Sequence, residues 1–274
     1  ATITDEAVPG PEDTTGLSLG ATASVAEGGS ITYTATLTNP ANAPMTVTLS
    51  NGAVIAIAAG ATTGSVSVPA PTDDVYVDAG SVSVTIGTTT GGAFEAVAVN
   101  PAPAVTTITD TLDTTTVTLS APGAVVEGGA VVYTATVNNP VAGTPLVITL
   151  SNGQTITIPV GQSSASGVPF SVRADDAYVQ GTDTLNVGIS GTAGGMFEAL
   201  DTTSTATTNV TDDADATTVT LSASAASVAE GGSIVYTVSV GSPVTGSPLV
   251  ITLSNGQTIT IPVGHSTATG GPFN

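Results

Sequence analysis

Acidic side chains recur at matched positions along this chain, and together they could coordinate metal cations. Glu27 lies in the phrase SVAEGGS, and related phrases surround Glu127 and Glu230. Further aspartates recur in the first two copies, where Asp73, Asp74 and Asp110 are answered by Asp175, Asp176 and Asp212. Clustered carboxylate oxygens are the ligands that hard divalent cations prefer. The pattern therefore indicates a cation-binding chemistry that is repeated along the chain.

The acidic positions belong to an internal repeat. Glu27 and Glu127 are 100 residues apart, and Glu127 and Glu230 are 103 apart. The same spacings separate three tyrosines, Tyr33, Tyr133 and Tyr236, which occupy inward positions of the strand alternation. The third copy stops at a point that matches the middle of the second, so we expect it to be truncated. We divide the chain into a linker from a preceding repeat (1–13), a first repeat (14–110), a second repeat with its linker (111–213) and a truncated third repeat (214–274).

Short alternating runs of apolar and polar residues fill each copy, as in SITYTATLT and SVSVTIG. Gly, Pro and Asn-Gly turns separate these runs, and helical periodicity is absent. About seven strands in roughly 100 residues is typical of an immunoglobulin-like sandwich, here without the cysteine pair and tryptophan of antibody domains. We predict an all-β fold of tandem immunoglobulin-like antiparallel β-sandwich domains in an extended array.

Short connections between antiparallel strands would collect the acidic residues of each copy at one pole of its sandwich. The Glu27 turn would join strands one and two, the loop of Asp73 and Asp74 would join strands five and six, and the last strand would end at Asp110. In the first copy the predicted metal ligands are Glu27, Asp73, Asp74, Asp110 and the linker residue Asp113. In the second copy they are Glu127, Asp175, Asp176, Asp212, Asp213 and Asp215, while Asp5 and Asp13 are the matching linker acids ahead of copy one.

Carboxylates gathered in this way repel one another, and the chain has a single Lys or Arg residue, Arg173, to offset them. We therefore expect Ca2+, because Mg2+ requires fewer protein ligands and a stricter octahedral geometry. The alternative is that the acids are solvated turn residues. Asp78 aligns with Gln180 and is expected to be a surface residue. Glu95 and Glu198 would either reach the ion of the preceding linker or anchor their own loop.

The overall charge and composition exclude several functions. With 21 acidic residues and a formal net charge of -20, the chain is not expected to bind nucleic acid or an anionic membrane. It has no cysteine, which excludes disulfides and thiolate zinc sites, and no apolar stretch long enough to span a bilayer. We expect no enzyme and no catalytic residue, because His265 replaces Gln162 at a turn and no serine has a base partner.

The phrases VAEGG, YTATV, PLVITLSNGQTITIPVGQ and DDAYVQG resemble the extender repeats of giant bacterial surface adhesins of the RTX type, which are exported by type I secretion. The resemblance covers essentially the whole chain. The EGG turn, the DD loop and the terminal TDD are also similar in layout to Calx-beta domains, where acids at those places bind Ca2+. The first linker departs from the pattern, because its aspartates are separated by five more residues than those of DTLD.

This resemblance implies a long row of Ig-like domains that Ca2+ at the junctions makes rigid. Such a row projects a distal binding domain from the bacterial cell surface, for cell adhesion or biofilm formation. The implied partners are neighbouring repeats of the same chain, and the implied location is secreted and extracellular, without direct membrane insertion. The acidic residues named above would take the ligand roles.

Two other functions fit the same sequence. The Thr-rich strand faces could bind a carbohydrate or another surface directly, although such rows commonly just cover solvent-facing strand positions. An S-layer or fibre subunit would share the fold and differ in whether arrays associate laterally. The acidic, Thr-rich strand edges argue against spontaneous lateral association.

Overall fold

The computed structural model describes residues 13–274, which form strands and turns in three successive repeats. The alternating runs become strands because successive side chains of a strand point to opposite faces. The strands of the first repeat are β1 (Thr14–Ala21), β2 (Ser24–Ala26), β3 (Ser30–Leu37), β4 (Met45–Leu49), β5 (Val54–Ile57), β6 (Thr63–Pro69), β7 (Gly80–Val84), β8 (Ile86–Gly91), β9 (Ala96–Val99) and β10 (Ala104–Thr109).

The first repeat is a sandwich around one apolar core. One layer has the strand order β6-β3-β1-β9, and the other contains β2-β10-β7 and β5-β4-β8, with β7 and β8 following each other across Thr85. The pairs β1 with β9 and β2 with β10 are parallel, and the other pairs of this repeat are antiparallel. The start of the repeat therefore contributes to both layers, through β1 in one and β2 in the other.

The second repeat has the same architecture. Its layers have the orders β17-β14-β11-β20 and β12-β21-β19-β15-β16, and β13 pairs with β18. Its β19 is continuous where the first repeat has β7 and β8. The strands are β11 (Thr114–Ser120), β12 (Ala124–Val126), β13 (Ala130–Val131), β14 (Thr134–Val137), β15 (Leu146–Leu150), β16 (Thr155–Ile158), β17 (Ser164–Ser166), β18 (Phe170–Ser171), β19 (Asp183–Ala193), β20 (Ala199–Asp201) and β21 (Thr205–Thr211).

The third repeat contributes two smaller sheets, β22-β23-β26 and β24-β25. Its buried apolar residues are Val238, Ile259 and Ile261. The strands are β22 (Val219–Ala223), β23 (Tyr236–Val240), β24 (Leu249–Thr252), β25 (Thr258–Ile261) and β26 (Thr267–Thr269).

The first two repeats each have a separate core at matched positions. Tyr33 and Tyr133 are completely buried, which confirms their predicted inward positions, whereas Tyr236 of the third repeat is only partly buried. The prediction of an all-β fold of tandem sandwiches is confirmed as well. Residues 110–113 link the first repeat to the second, and residues 212–218 link the second to the third. No helix within residues 13–274 is long and apolar enough to cross a bilayer.

Candidate metal centres

The Glu27 turn is held by backbone hydrogen bonds from two sides. Glu27 N–H donates to Thr109 O at 3.0 Å, and Gly28 N–H donates to Pro71 O at 2.6 Å. Gly28 has a φ of +68°, where glycine is favoured. A Cβ at this position would lie 3.1 Å from Asp73 Cβ. The glycine therefore lets the Asp73 loop close over the turn, which explains why glycine follows the glutamate.

Strand pairing brings Glu27 beside Asp110. The strands β2 and β10 are parallel, and Ala26 at the end of one is paired with Thr109 at the end of the other. The next residue of each strand, which is the acid, leaves the sheet at the same end. The predicted convergence of the EGG turn with the end of the last strand therefore follows from this parallel pair.

A group of three carboxylates spans the junction between the first and second repeats. Glu27, Asp110 and Glu198 each offer an oxygen within 4.8 Å of the other two. Glu27 is 6% exposed, and both Asp110 Oδ1 and Glu198 Oε1 are buried without a hydrogen-bond partner. The other oxygen of Glu198, Oε2, accepts the N–H of Asp113 at 2.6 Å. Of the two roles considered for Glu198, the structure favours reaching the acids of the preceding repeat.

Glu27 also belongs to a second group with Asp74 and Asp78. Asp78 is exposed, in line with its expected surface position, yet its carboxylate reaches this group. The alignment of Asp78 with Gln180 did not indicate this. Asp74 Oδ1 accepts Tyr76 N–H at 2.8 Å, so the loop's own backbone orients the aspartate.

The pKa of Glu27 reflects a backbone hydrogen bond, burial and the charges of neighbouring carboxylates. The hydrogen bond of 2.9 Å from Thr111 N–H to Glu27 Oε1 lowers this pKa. Burial and the charges of Glu198, Asp110 and Asp73 raise it, and the net result is a pKa above the ordinary value for glutamate. The first repeat contains no Lys, Arg or His. Its acidic pole therefore has no cationic side chain of its own.

The equivalent pole of the second repeat carries four carboxylates, those of Glu127, Asp175, Asp213 and Asp215, with oxygens within 4.8 Å of one another. Glu127 is 5% exposed, and its Oε1 is buried without a hydrogen-bond partner. Gly128 has a φ of +71°, and a Cβ there would lie 2.8 Å from Asp175 Cβ. The turn of the first repeat therefore recurs here, and the aspartate loop approaches its glycine even more closely.

Arg173 supplies this second pole with a cation. Its Nε lies 2.7 Å from Glu127 Oε2, and its Nη1 lies 2.8 Å from Asp183 Oδ2. The hydrogen bond from Arg173 lowers the pKa of Glu127, but burial and the Asp212 carboxyl raise it, and the net shift is upward. Loss of hydration, followed by the charges of the surrounding aspartates, raises the pKa of Asp215.

The remaining predicted ligands of the first junction lie beside these groups. Asp73 Oδ1 accepts Thr111 Oγ1–H at 2.5 Å, and Asp113 contributes its backbone N–H to Glu198. At the other end of the first repeat, Asp13 and Glu95 line a common hollow. Asp5 lies outside the described residues.

Two predicted ligands of the second repeat are held by Gln180. The side-chain amide of Gln180 donates to Asp176 Oδ2 at 2.5 Å, and its backbone N–H donates to Asp212 Oδ2 at 2.9 Å. Asp212 Oδ1 is buried without a hydrogen-bond partner. In the third repeat Glu230 is exposed, and no group of three carboxylates includes it among the described residues. A role common to all three glutamates is therefore not seen in residues 13–274.

Comparison with known protein families shows which family these repeats belong to. A family model for the LapA domain matches residues 13–111, 113–213 and 215–271. The chain belongs to the LapA domain family. No curated protein matches it. Among solved structures it is similar to a tetra-tandem repeat in the extending region of a large adhesion protein, at 17% identity and a TM-score of 0.32. That match covers 94% of this chain and 66% of the other.

The first two LapA domains also meet through an aromatic contact that the sequence analysis missed. Tyr76, from the loop after Asp74, forms an antiparallel bridge with Phe197 of the next domain. Their ring centroids are 5.4 Å apart, and Tyr76 packs against the core of the second domain. The Tyr76 hydroxyl donates to Pro140 O at 2.6 Å. The acidic loop of one LapA domain is therefore also its docking loop.

Backbone hydrogen bonds on both sides of this bridge fix its register. Val77 N–H donates to Met196 O at 2.9 Å, and Glu198 N–H donates to Val75 O at 3.1 Å. This register places Glu198 directly after the docked residues. Its carboxylate therefore reaches Glu27 because the two LapA domains are paired through their loops.

A related contact joins the second and third LapA domains, where the Tyr178 hydroxyl donates to Pro243 O at 2.8 Å. The available sequence signal was the recurrence of DDVYV as DDAYV and of GGAFEA as GGMFEA. Short connections between antiparallel strands place these two phrases at opposite poles of each domain. Opposite poles of successive domains are the surfaces that meet in a row, so the two phrases could have been predicted to touch.

The donor set of these LapA domain poles fits a divalent cation bound by oxygen. Every member of the groups is a carboxylate, and buried oxygens at Asp110, Glu198 and Glu127 have no hydrogen-bond partner. Burying such an oxygen is unfavourable unless a proton, a donor or a cation satisfies it. Ca2+ accepts about six to eight oxygen ligands in a flexible geometry, which suits an arrangement drawn from several loops.

Proposed function

We propose that this chain is an extender segment of a secreted bacterial adhesin, in which Ca2+ at the domain junctions holds successive LapA domains in a fixed relative orientation. The segment would project a distal binding domain from the cell surface, for cell adhesion or biofilm formation. Membership of the LapA family and the tandem arrangement of three matched domains support the extender role. No catalytic residue belongs to this proposal.

One observation carries the calcium part of the proposal. The group of Glu27, Asp110 and Glu198 draws carboxylates from two domains, and it leaves two buried oxygens without partners. Without a cation, repulsion between these charges opposes docking of the Tyr76 loop. With a cation bound, separating the domains would require breaking its coordination. The ion would thus remove a hinge at the short linker of residues 110–113.

The proposed location agrees with this chemistry. Metal ions that bind the folded state but not the unfolded chain couple folding to metal concentration. Low Ca2+ inside the cell, together with repulsion at the acidic poles, would delay folding until export. Abundant Ca2+ outside would then order each junction. The absence of cysteine means that no disulfide has to form on this route.

Small-angle scattering of the chain in Ca2+ and in EDTA tests the proposal. We expect a longer maximum dimension and a narrow range of shapes in Ca2+, and a shorter, broader distribution in EDTA. The melting temperature should also fall on chelation, since ligand that binds only the native state stabilises it. If chelation changes neither length nor melting temperature, the calcium part of the proposal is wrong.

A matched pair of variants assigns the effect to the first junction. Glu198→Gln removes one charge from the group without removing the backbone hydrogen bond that pairs the loops. Glu95→Gln changes the equivalent residue at the other end of the first repeat. We expect Glu198→Gln to keep the first junction flexible in Ca2+, while Glu95→Gln leaves that junction as rigid as in the unmodified chain.

A further inference from the structure

The two acidic poles differ at one backbone position. Gly28 N–H donates to Pro71 O in the first repeat, and Gly128 N–H donates to Arg173 O in the second, at 2.6 and 2.8 Å. Pro71 and Arg173 are therefore structural equivalents. The second repeat has a guanidinium where the first has a proline ring.

The residue that orients Arg173 is also specific to the second repeat. Asp183 pairs with Val210 of β21, and Gly80 pairs with Ile108 of β10, so Asp183 and Gly80 occupy matching positions. Arg173 bridges Asp183 and the buried Glu127, and its side chain is 18% exposed. A planar guanidinium suits this double contact because its donors form a rigid fork.

A third difference removes a carboxylate from the second pole. In the first repeat Asp78 joins Glu27 and Asp74 in a group. In the second repeat the aligned residue is Gln180, whose amide donates to Asp176. The second repeat thus has a neutral amide where the first has the Asp78 carboxylate, and a guanidinium where the first has the Pro71 ring.

We propose that Arg173 is a built-in counterion that replaces a divalent cation on one side of Glu127, so that the second repeat needs less Ca2+ than the first to keep its pole ordered. This inference rests on the proposed calcium function. Glu127 Oε2 is bound by Arg173, while Oε1 is buried without a hydrogen-bond partner, and Glu127 belongs to the carboxylate group with Asp175, Asp213 and Asp215. One side of the glutamate is therefore neutralised by the chain and the other is left for a metal ion.

Hydrogen exchange of the full chain, followed peptide by peptide, compares the two poles directly. In EDTA, amides of the Glu27 turn and the end of β10 should exchange faster than those of the Glu127 turn and the end of β21. Arg173→Gln should raise exchange at the second pole about tenfold or more in EDTA, since it leaves a buried carboxylate unpaired. Added Ca2+ should restore protection. Arg173→Lys, which keeps the charge, should stay closer to the unmodified chain.

The first repeat offers the reverse experiment. Pro71→Arg combined with Gly80→Asp transfers the ion pair to the first pole. Gly80 does not have a positive φ, and a Cβ there would lie 3.6 Å from Asp78 O, so the aspartate has room. This double variant should show slower exchange at the Glu27 turn in EDTA than the unmodified chain.

The outcomes separate this inference from the calcium function itself. If the unmodified first repeat exchanges equally in Ca2+ and EDTA, the calcium function fails. If Ca2+ protects the first repeat but Arg173→Gln exchanges like Arg173→Lys in EDTA, or is not restored by Ca2+, the counterion role is overturned. The counterion role is also overturned if the variant with Pro71→Arg and Gly80→Asp exchanges at the Glu27 turn in EDTA as fast as the unmodified chain.

Discussion

At the level of single residues, Glu27 and Glu127 occupy the same turn with different surroundings. Glu27 lies among carboxylates with no cationic side chain in its repeat, and its pKa is raised. Glu127 also has a raised pKa, but one of its oxygens is paired with Arg173. Ionised Glu27 is therefore expected to destabilise the metal-free fold, whereas removal of the Glu127 charge would leave Arg173 without its buried partner.

Glutamine substitutions in EDTA should separate these two situations. Glu27→Gln should leave the melting temperature of the first repeat unchanged or raised, because its amide oxygen can still accept the Thr111 N–H. Glu127→Gln should be less favourable for the melting temperature of the second repeat than Glu27→Gln is for that of the first, because Arg173 loses an ionised partner. Calorimetry with and without Ca2+ measures both, and Glu27→Gln should lose much of the calcium response. Equal destabilisation by the two variants in EDTA would contradict this account of the charges.

The glycine after Glu27 supports a second prediction. Gly28→Ala should destabilise the first repeat by more than the about 1–2 kcal/mol of a left-handed non-glycine residue, because its Cβ would also press on Asp73. Gly52 is a matched control, since it has a φ of +85° and open space around the added Cβ. Urea unfolding of both variants gives the comparison. If Gly52→Ala is as destabilising as Gly28→Ala, the close approach of the Asp73 loop has no energetic effect.

At the level of elements, the sequence was most informative where local pattern decides structure. Alternation predicted the inward side chains Tyr33 and Tyr133, which are completely buried. The repeated turn and strand-end acids predicted that Glu27 and Asp110 converge. The parallel pairing of β2 with β10 was outside the simple antiparallel scheme, yet it supports the same convergence.

The contacts between domains were harder to predict. Glu198 was left with two alternative roles, and Tyr76 was not considered, because their contacts depend on how one sandwich is oriented on the next. Local periodicity carries no information on that orientation. The ion pair of Arg173 with Asp183 was missed for a related reason, since it joins a loop to a strand ten residues later with no repeated counterpart in the first domain.

The docking loop itself is testable as an element. Tyr76→Phe removes the hydrogen bond to Pro140 and should weaken docking by about 1 kcal/mol. Phe197→Ala removes a ring that is 9% exposed and should weaken it by about 3 kcal/mol, partly through the core of the second domain. Exchange of the Val77 and Glu198 amides reports the paired register. Val179→Ala, in the equivalent loop of the second domain, is a control that should leave this first junction unchanged.

At the level of the whole molecule, the net charge of -20 means that dissolved cations can reduce repulsion in two ways, by screening and by coordination. Any electrolyte screens the general repulsion along the chain, with a Debye length of about 10 Å at 0.1 M. Screening acts on all the acids, including those that point into solvent. Coordination acts only where several carboxylate oxygens converge, as at the two acidic poles. The length of the chain should therefore respond differently to the two.

Titrations with different salts, compared at equal ionic strength, distinguish coordination from screening. Starting from the chain in EDTA, NaCl should raise the melting temperature gradually, because screening reduces repulsion without fixing any junction. Ca2+ should extend and stiffen the chain in a saturable manner on a constant NaCl background. Mg2+ should act more weakly, because it keeps its water and requires octahedral geometry. The maximum dimension of the chain, measured by small-angle scattering at each step, is the readout. If NaCl or Mg2+ at matched ionic strength produces the same extension as Ca2+, the poles act as a diffuse charge and not as coordination sites.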